Sequence, residues 1–314
     1  MITRRDYLKL CAATGVALAI KPGLLLADDS PRSLITRTIP GTNEQLPVIG
    51  LGSSASFSRL AGEGNVAAVR EILQTLVQQG GSVFDTAPSY GAAEQVAGEI
   101  ARDTGLNDQL FWATKVNVAG RGGGKADPAA ARAQIEQSFD WLGKPTMDLI
   151  QVHNLGDVPT QLGLLKEYRD AGRLRYIGVT TTFAEQYEAL EQLMRTEQLD
   201  FIGIDYAIDH RIMEQRIFPL AQERDIGVLV YQPFGRTRLW QLVEGRTLPD
   251  WAAEYDIASW GQFFLKFAIS HPAVTAATPA TSQVRHLIDN LGAATGRLPD
   301  NEGRTRMISF IETL

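Results

Sequence analysis

Eight short apolar runs, separated by stretches with helical spacing, constrain this chain more than any other feature. The runs are Val48-Ile49-Gly50-Leu51, Ser82-Val83-Phe84, Leu110 to Val116, Met147 to Val152, Arg175 to Val179, Phe201 to Ile204, Ile226 to Val230 and Val274 to Ala277. They lack clean polar–apolar alternation, as expected of strands buried on both faces. Between them, Val66 to Gln79 carries Val66, Val69, Ile72, Leu73, Leu76 and Val77 on one helical face and stops at Gly80-Gly81. Ala129 to Leu142, Thr160 to Ala171, Ala184 to Met194, Arg211 to Arg224 and Ser259 to Ser270 have the same spacing. At a length of 314 residues, this alternation predicts one domain, a (β/α)8 TIM barrel over residues 28–314, with an open doubly wound sheet as the alternative. The alternating piece Leu34 to Ile39 predicts a short N-terminal hairpin. Leu239 to Asp250 is expected as a rim loop, and Ala280 to Gly292 as a helix capping the last strand.

Residues 1–27 lie outside that pattern. Arg4-Arg5 precedes an apolar segment, Leu10 to Ile20, and Leu25-Leu26-Ala27 offers a small-residue cleavage site before Asp28. The segment is short of the about 20 residues that span a membrane. The arginine pair resembles a twin-arginine (Tat) export signal, which implies a Tat-exported, periplasmic protein; an ordinary secretory signal is the alternative. The only cysteine, Cys11, falls inside this segment, so no disulfide is expected in the remainder. A net charge of −6 with no long basic run argues against nucleic acid as a partner.

In a barrel of this class, reactive side chains collect at the C-terminal ends of the strands. There the sequence places Asp85, then Tyr90 beyond a Pro88 turn; Lys115; His153, followed by Asn154; and Tyr231. Each has a plain structural reading: Asp85 and Tyr90 as a capped turn, Lys115 as a rim lysine with its stem on apolar surface, His153 as a satisfied core histidine. Together they make a chemical set. A free tyrosine, with a pKa of about 10, is a poor acid–base catalyst near neutrality. A nearby ammonium lowers that pKa, a carboxylate keeps the lysine charged, and a neutral histidine can donate to a carbonyl oxygen. Such a set suits proton transfer coupled to carbonyl–alcohol interchange, and the hydride must come from a nicotinamide.

Gly81-Ser82-Val83-Phe84-Asp85-Thr86-Ala87-Pro88-Ser89-Tyr90-Gly91, with Glu94 and Gly98 behind it, resembles the aldo-keto reductase signature. Ala113-Thr114-Lys115 and Asp148 to Asn154 match that family's lysine and histidine motifs in order and spacing, and the similarity runs from about Ile39 to Asn290. The resemblance implies a (β/α)8 barrel with an Asp–Tyr–Lys–His tetrad: Asp85, Tyr90 as general acid and base, Lys115, and His153 orienting the carbonyl. It implies reversible reduction of an aldehyde or ketone to an alcohol, with NADP(H) rather than NAD(H). An exported cofactor-binding sensor or subunit with little turnover is the alternative.

The cofactor motifs are less faithful. Thr180-Thr181 stands where the family has Ser-Asn, and Gly203 where it often has Gln. Tyr231 matches the tyrosine that stacks on the nicotinamide, and Gln232, Pro233, Phe234 and Gly235 begin the turn, Gln232 to Thr237, implied at the pyrophosphate. Thr281, Arg285, Asp289 and Asn290 belong to the segment similar to the family's adenosine-phosphate loop. Ala280 and His286 replace cations common there, with Arg285 adjacent. Gly50 to Ala55 fits a dinucleotide fingerprint by letters alone, since a Ser/Gly-rich loop is expected after it rather than a helix. Gly120 to Lys125 resembles a phosphate loop but lacks the following Ser or Thr. His210, His271 and His286 form no metal-ligand spacing with acids.

Overall fold

A computed structural model describes residues 33–119 and 124–314. The expected export segment and the glycine run at 120–123 lie outside the described residues. The expected hairpin is present: β1 (Thr36–Thr38) pairs antiparallel with β2 (Gln45–Pro47). Eight parallel strands follow in chain order: β3 (Leu51–Gly52), β4 (Val83–Asp85), β5 (Phe111–Val116), β6 (Met147–Val152), β7 (Leu174–Thr181), β8 (Phe201–Asp205), β9 (Gly227–Tyr231) and β10 (Ala276–Ala277). Each pairs with its sequence neighbour, and bridges Ile49↔Ala277 and Gly52↔Ala280 join the first strand to the last. The sheet therefore closes as the (β/α)8 barrel and not as the open sheet.

The helices that cover the strands are α1 (Ser56–Gly62), α2 (Val66–Gln78), α3 (Ala93–Thr104), α4 (Pro128–Leu142), α5 (Val158–Asp170), α6 (Tyr187–Thr196), α7 (Ile217–Glu223), α8 (Arg238–Leu242), α9 (Trp260–Ser270), α10 (Val284–Gly292) and α11 (Asn301–Glu312). Local chemistry sets several ends. Asn65, Asp127, Ser259 and Asp300 accept backbone N–H bonds as N-caps, and Pro128 opens α4. Helix α1 occupies the expected Ser/Gly-rich loop, and α8 falls inside the expected rim loop. Helix α11 lies beyond the barrel repeat; its Arg304 reaches the Phe267 carbonyl, Tyr206 Oη and Glu214.

Two apolar layers result from the strand pleat. One packs the helices against the outside of the barrel. The other fills the interior with Val83, Phe111, Ala113, Leu149, Phe201, Leu229 and Ala276, closed from below by Ile39 and Leu46 of the hairpin. The hairpin is held to the barrel by Arg37, which donates to the carbonyls of His271 (2.7 Å), Ile269 (3.1 Å) and Val274. Because side chains alternate along a strand, the residue two beyond each interior position also points inward, one layer higher. Those residues are Asp85, Lys115, Gln151, Gly203 and Tyr231. The apolar plug below them makes the upper layer a floor, and the site stands on it.

Candidate active site

The floor is a polar network in which Gln151 Oε1 alone of its side-chain oxygens has no partner among the described residues. Lys115 Nζ donates to Asp85 Oδ1 at 2.8 Å and to the Thr86 carbonyl at 2.7 Å, with both side chains of the ion pair buried. Tyr231 Oη donates to the other Asp85 oxygen at 3.0 Å and accepts from Gln151 Nε2 at 3.1 Å. The ammonium lies 5.1 Å from the centre of the Tyr90 ring and 5.2 Å from that of Tyr231. Tyr90 meets His153 edge to face, with ring centres 5.9 Å apart. The four residues of the expected tetrad thus come together, although they leave three different strands.

Burial would strip the proton from Lys115, but the Asp85 carboxylate first, and the Tyr90 phenol when it ionises, overcome this and hold its pKa above the ordinary lysine value. His153 is pushed down to about 3, by burial first and then by the Lys115 charge, so its ring is neutral at physiological pH. Its buried Nδ1 has no partner among the described residues. Tyr90 departs from the expectation. Burial raises its pKa above the ordinary phenol value, and the Lys115 charge only partly opposes this because Asp85 adds to the rise. The phenol therefore stays protonated at neutral pH.

The rest of the signature is scaffold. Glu94 is fully buried at the start of α3, and Thr114 Oγ1 donates to it at 2.5 Å. Burial pushes its carboxyl up to about 7, against the hydrogen bond from Thr114. A Cβ at Gly98 would stand 2.1 Å from the Trp141 carbonyl oxygen, so only glycine lets α3 lie against the end of α4.

Above the floor opens a cavity of about 550 Å³, lined by Asp85, Tyr90, His153, Asn154, Thr180 and Tyr231 near its base. It continues over Gln232, Pro233, Phe234, Arg236 and Thr237 to Thr278, Pro279 and Ala280, with Gly52 and Ser54 to Ser56 on the facing wall. Positive φ at Gln232 (52°), Gly235 (56°) and Arg236 (61°) curls the segment after β9 into a tight turn. A dinucleotide fits this shape: a pocket over the tetrad, a tight turn beside it, and on the wall the buried Thr278 hydroxyl, which has no partner among the described residues. Arg236 is the exposed cation on the wall, and the Arg238 beside it is paired with Asp209 at 2.9 Å.

Other residues implicated in cofactor binding lie apart from this cavity. Thr181 donates to Gln186 Oε1 at 2.5 Å and accepts from the Phe183 N–H, and Thr182 lines the cavity instead. Gly235 borders a smaller neighbouring cleft of about 190 Å³. Thr281 is buried and bonds within its own turn to Gln283. Asp289 is engaged by Ser259 Oγ (2.6 Å) and Gln262 Nε2 (2.9 Å). Asn290 is on the buried face of α10, and Arg285 is exposed on the same helix. Arg236 and Thr278 line the cavity within the expected Gln232 to Thr237 turn and the expected adenosine-phosphate segment. Gln151 in the floor and Thr182 on the wall are the residues that sequence reasoning did not name as part of the site, although Gln151 lies on the strand that runs into His153.

No group of three or more His, Cys, Asp or Glu side chains that could hold a metal occurs among the described residues. Residues 48–305 match the profile described as the Aldo/keto reductase family. "Aldo-keto reductase YhdN" of Bacillus subtilis is 29% identical over 202 residues, 62% of this chain and 60% of that protein. "Aldo-keto reductase str7" of Strobilurus tenacellus is 23% identical over 293 residues, 81% of this chain and 86% of that protein. Among solved structures, an aldo/keto reductase from Klebsiella pneumoniae in complex with NADP and acetate superposes with a TM-score of 0.69 at 25% identity, covering 89% of this chain and 95% of its own.

Proposed function

The chain belongs to the aldo/keto reductase family, and we propose that it interconverts small aldehydes or ketones and their alcohols, with NADP(H) as redox partner and Tyr90 as the acid and base. One observation carries this reading: Tyr90, Lys115, Asp85 and His153 converge on the floor of one cavity shaped for a dinucleotide. The NADP held by the Klebsiella structure supports the choice of nucleotide.

The side chains divide the work. Tyr90 is protonated at neutral pH and donates to the carbonyl oxygen as it gains charge. Lys115 lies beside the phenol ring and offsets the phenolate that donation leaves behind. Asp85 keeps Lys115 charged in a dry site. Neutral His153, edge-on to Tyr90, presents a ring nitrogen that orients the substrate oxygen without adding a second positive charge. A bound nicotinamide supplies the hydride, or accepts it in the alcohol direction. Tyr231 and the Gln232 to Thr237 turn would hold that nucleotide, with Arg236 facing its phosphates and Thr180 on the tetrad side. In the alcohol direction the phenolate takes the proton, so high pH favours oxidation.

Replacing Tyr90 by Phe removes the proton donor and keeps the ring. Turnover of a panel of aldehydes should fall by about 10²- to 10⁴-fold, while NADPH affinity, read by fluorescence titration, stays within about twofold of the parent. Parent-like turnover in Tyr90→Phe overturns the assignment.

A further inference from the structure

Asp85 is gripped from two sides. Lys115, from β5, takes Oδ1 at 2.8 Å. Tyr231, from β9 across the barrel, takes Oδ2 at 3.0 Å and is itself steadied by Gln151 Nε2 from β6 at 3.1 Å. The second grip exists because of an empty position. The Tyr231 ring leans back over β8, where a Cβ at Gly203 would stand 2.4 Å from Cε2 and 2.6 Å from Oη. Real Cβ atoms do not approach that closely, so any side chain at 203 displaces the ring and takes the hydroxyl off Asp85.

The second grip has a mechanical effect. A carboxylate turns easily about its Cβ–Cγ bond, which is a broad torsion. Held by Lys115 alone, Asp85 could rotate, leaving the Thr86 carbonyl as the fixed partner of the ammonium. With Oδ2 pinned from the opposite wall, the carboxylate plane is set, and Nζ rests between the Tyr90 and Tyr231 rings, 5.1 and 5.2 Å from their centres. The effect is also electrostatic. The phenol O–H takes up part of the Asp85 charge, which otherwise opposes ionisation of Tyr90.

We propose that Tyr231 is a positioning residue for the proton donor: its hydroxyl, admitted by Gly203, clamps Asp85 so that Lys115 faces Tyr90. This rests on the assignment of Tyr90 above. The Tyr231 ring also forms part of the cavity wall, so one side chain touches both the nucleotide's berth and the charge pair beneath it.

Tyr231→Phe in the full chain tests the clamp, because it keeps the ring and removes only the hydroxyl. With 4-nitrobenzaldehyde and NADPH, kcat should fall about tenfold, the worth of a hydrogen bond to a charged group. NADPH affinity should stay within about twofold of the parent. Ultraviolet difference titration against the matching Tyr90→Phe proteins reads Tyr90 ionisation alone. Its midpoint should move up in Tyr231→Phe, because the Asp85 charge is no longer shared. Gly203→Ala should reproduce the kcat loss and weaken NADPH binding as well, since it pushes the ring itself. An unmoved Tyr90 midpoint together with parent-like kcat overturns the proposal, and so does an equal loss in kcat and affinity without a shifted midpoint. If Tyr90→Phe keeps its turnover, the assignment of Tyr90 as proton donor fails, and the clamp on Asp85 is still decided by the titration.

Discussion

The two halves of the cavity are built on different principles. The tetrad half is side-chain chemistry: Asp85, Lys115, Tyr231 and Gln151 hydrogen-bond to one another over an apolar plug, leaving Tyr90 and His153 at the surface of the network. The nucleotide half is largely backbone shape. Its wall is a turn of positive-φ residues after β9 and the Thr278-Pro279-Ala280 segment after β10. Nearby side chains that could have reached a ligand are spent on local structure, as with Thr181 on Gln186 and Asp289 on Ser259 and Gln262. A network of buried charges tolerates few residue types, because each member answers for the others' desolvation. A backbone wall tolerates many, because the chain's own N–H groups and curvature do the holding.

Lys115→Met should break the tetrad half most severely. It leaves the Asp85 carboxylate buried with no cation, which costs about 3–5 kcal/mol of folding stability, and turnover should disappear with it. Urea unfolding of Lys115→Met beside the double variant Asp85→Asn/Lys115→Met measures this. The double variant should recover most of the stability and none of the turnover. A single variant as stable as the parent would mean the pair is not the buried, mutually dependent unit described.

The scaffold beneath the tetrad has its own signature in pH. Glu94 titrates at about 7 in the folded protein against an ordinary 4.5. Because the folded value is raised, the stability Glu94 contributes is fully present below pH 4.5 and is lost as pH rises through 7. Glu94→Gln cannot titrate. Between pH 4 and pH 8 the parent should therefore lose about 2–3 kcal/mol more stability than Glu94→Gln. His153 works in the opposite sense: its folded value of about 3 costs stability as pH falls below 6.5. That contribution is common to both proteins and cancels in the difference. Parallel stability curves for the two proteins would rule out a buried, raised Glu94.

The smallest effect is expected in the nucleotide half. Arg236→Ala removes one charge-assisted contact from a wall that is mostly backbone, so NADPH should bind about tenfold more weakly. Turnover at saturating NADPH should hold. A loss of 10³-fold or more would show that the wall depends on side chains as the tetrad does, and would erase the contrast between the halves.

Much of this protein is legible in its sequence. Eight doubly buried runs with helical stretches between them required strands covered on both faces, and the short hairpin was readable from the alternation in Leu34 to Ile39. Asp85, Tyr90, Lys115 and His153 could be listed because strand ends in a barrel converge, so order along the chain maps onto position around a ring. Helix α3 escaped the reading although its apolar positions have helical spacing, and α1 escaped because Ser and Gly dominate the segment before it.

Strand order and the convergence of strand ends in a barrel were enough to bring Asp85, Lys115 and His153 to one site, since both follow from the order of runs along the chain. They could not tell that burial outweighs Lys115 at Tyr90, because desolvation depends on every element packed around the phenol. Nor could they tell that Gly203 is a space rather than a loss. That meaning exists only where β9 lays the Tyr231 ring across β8, and the contact between an absent side chain and a present one is made by the closed barrel alone.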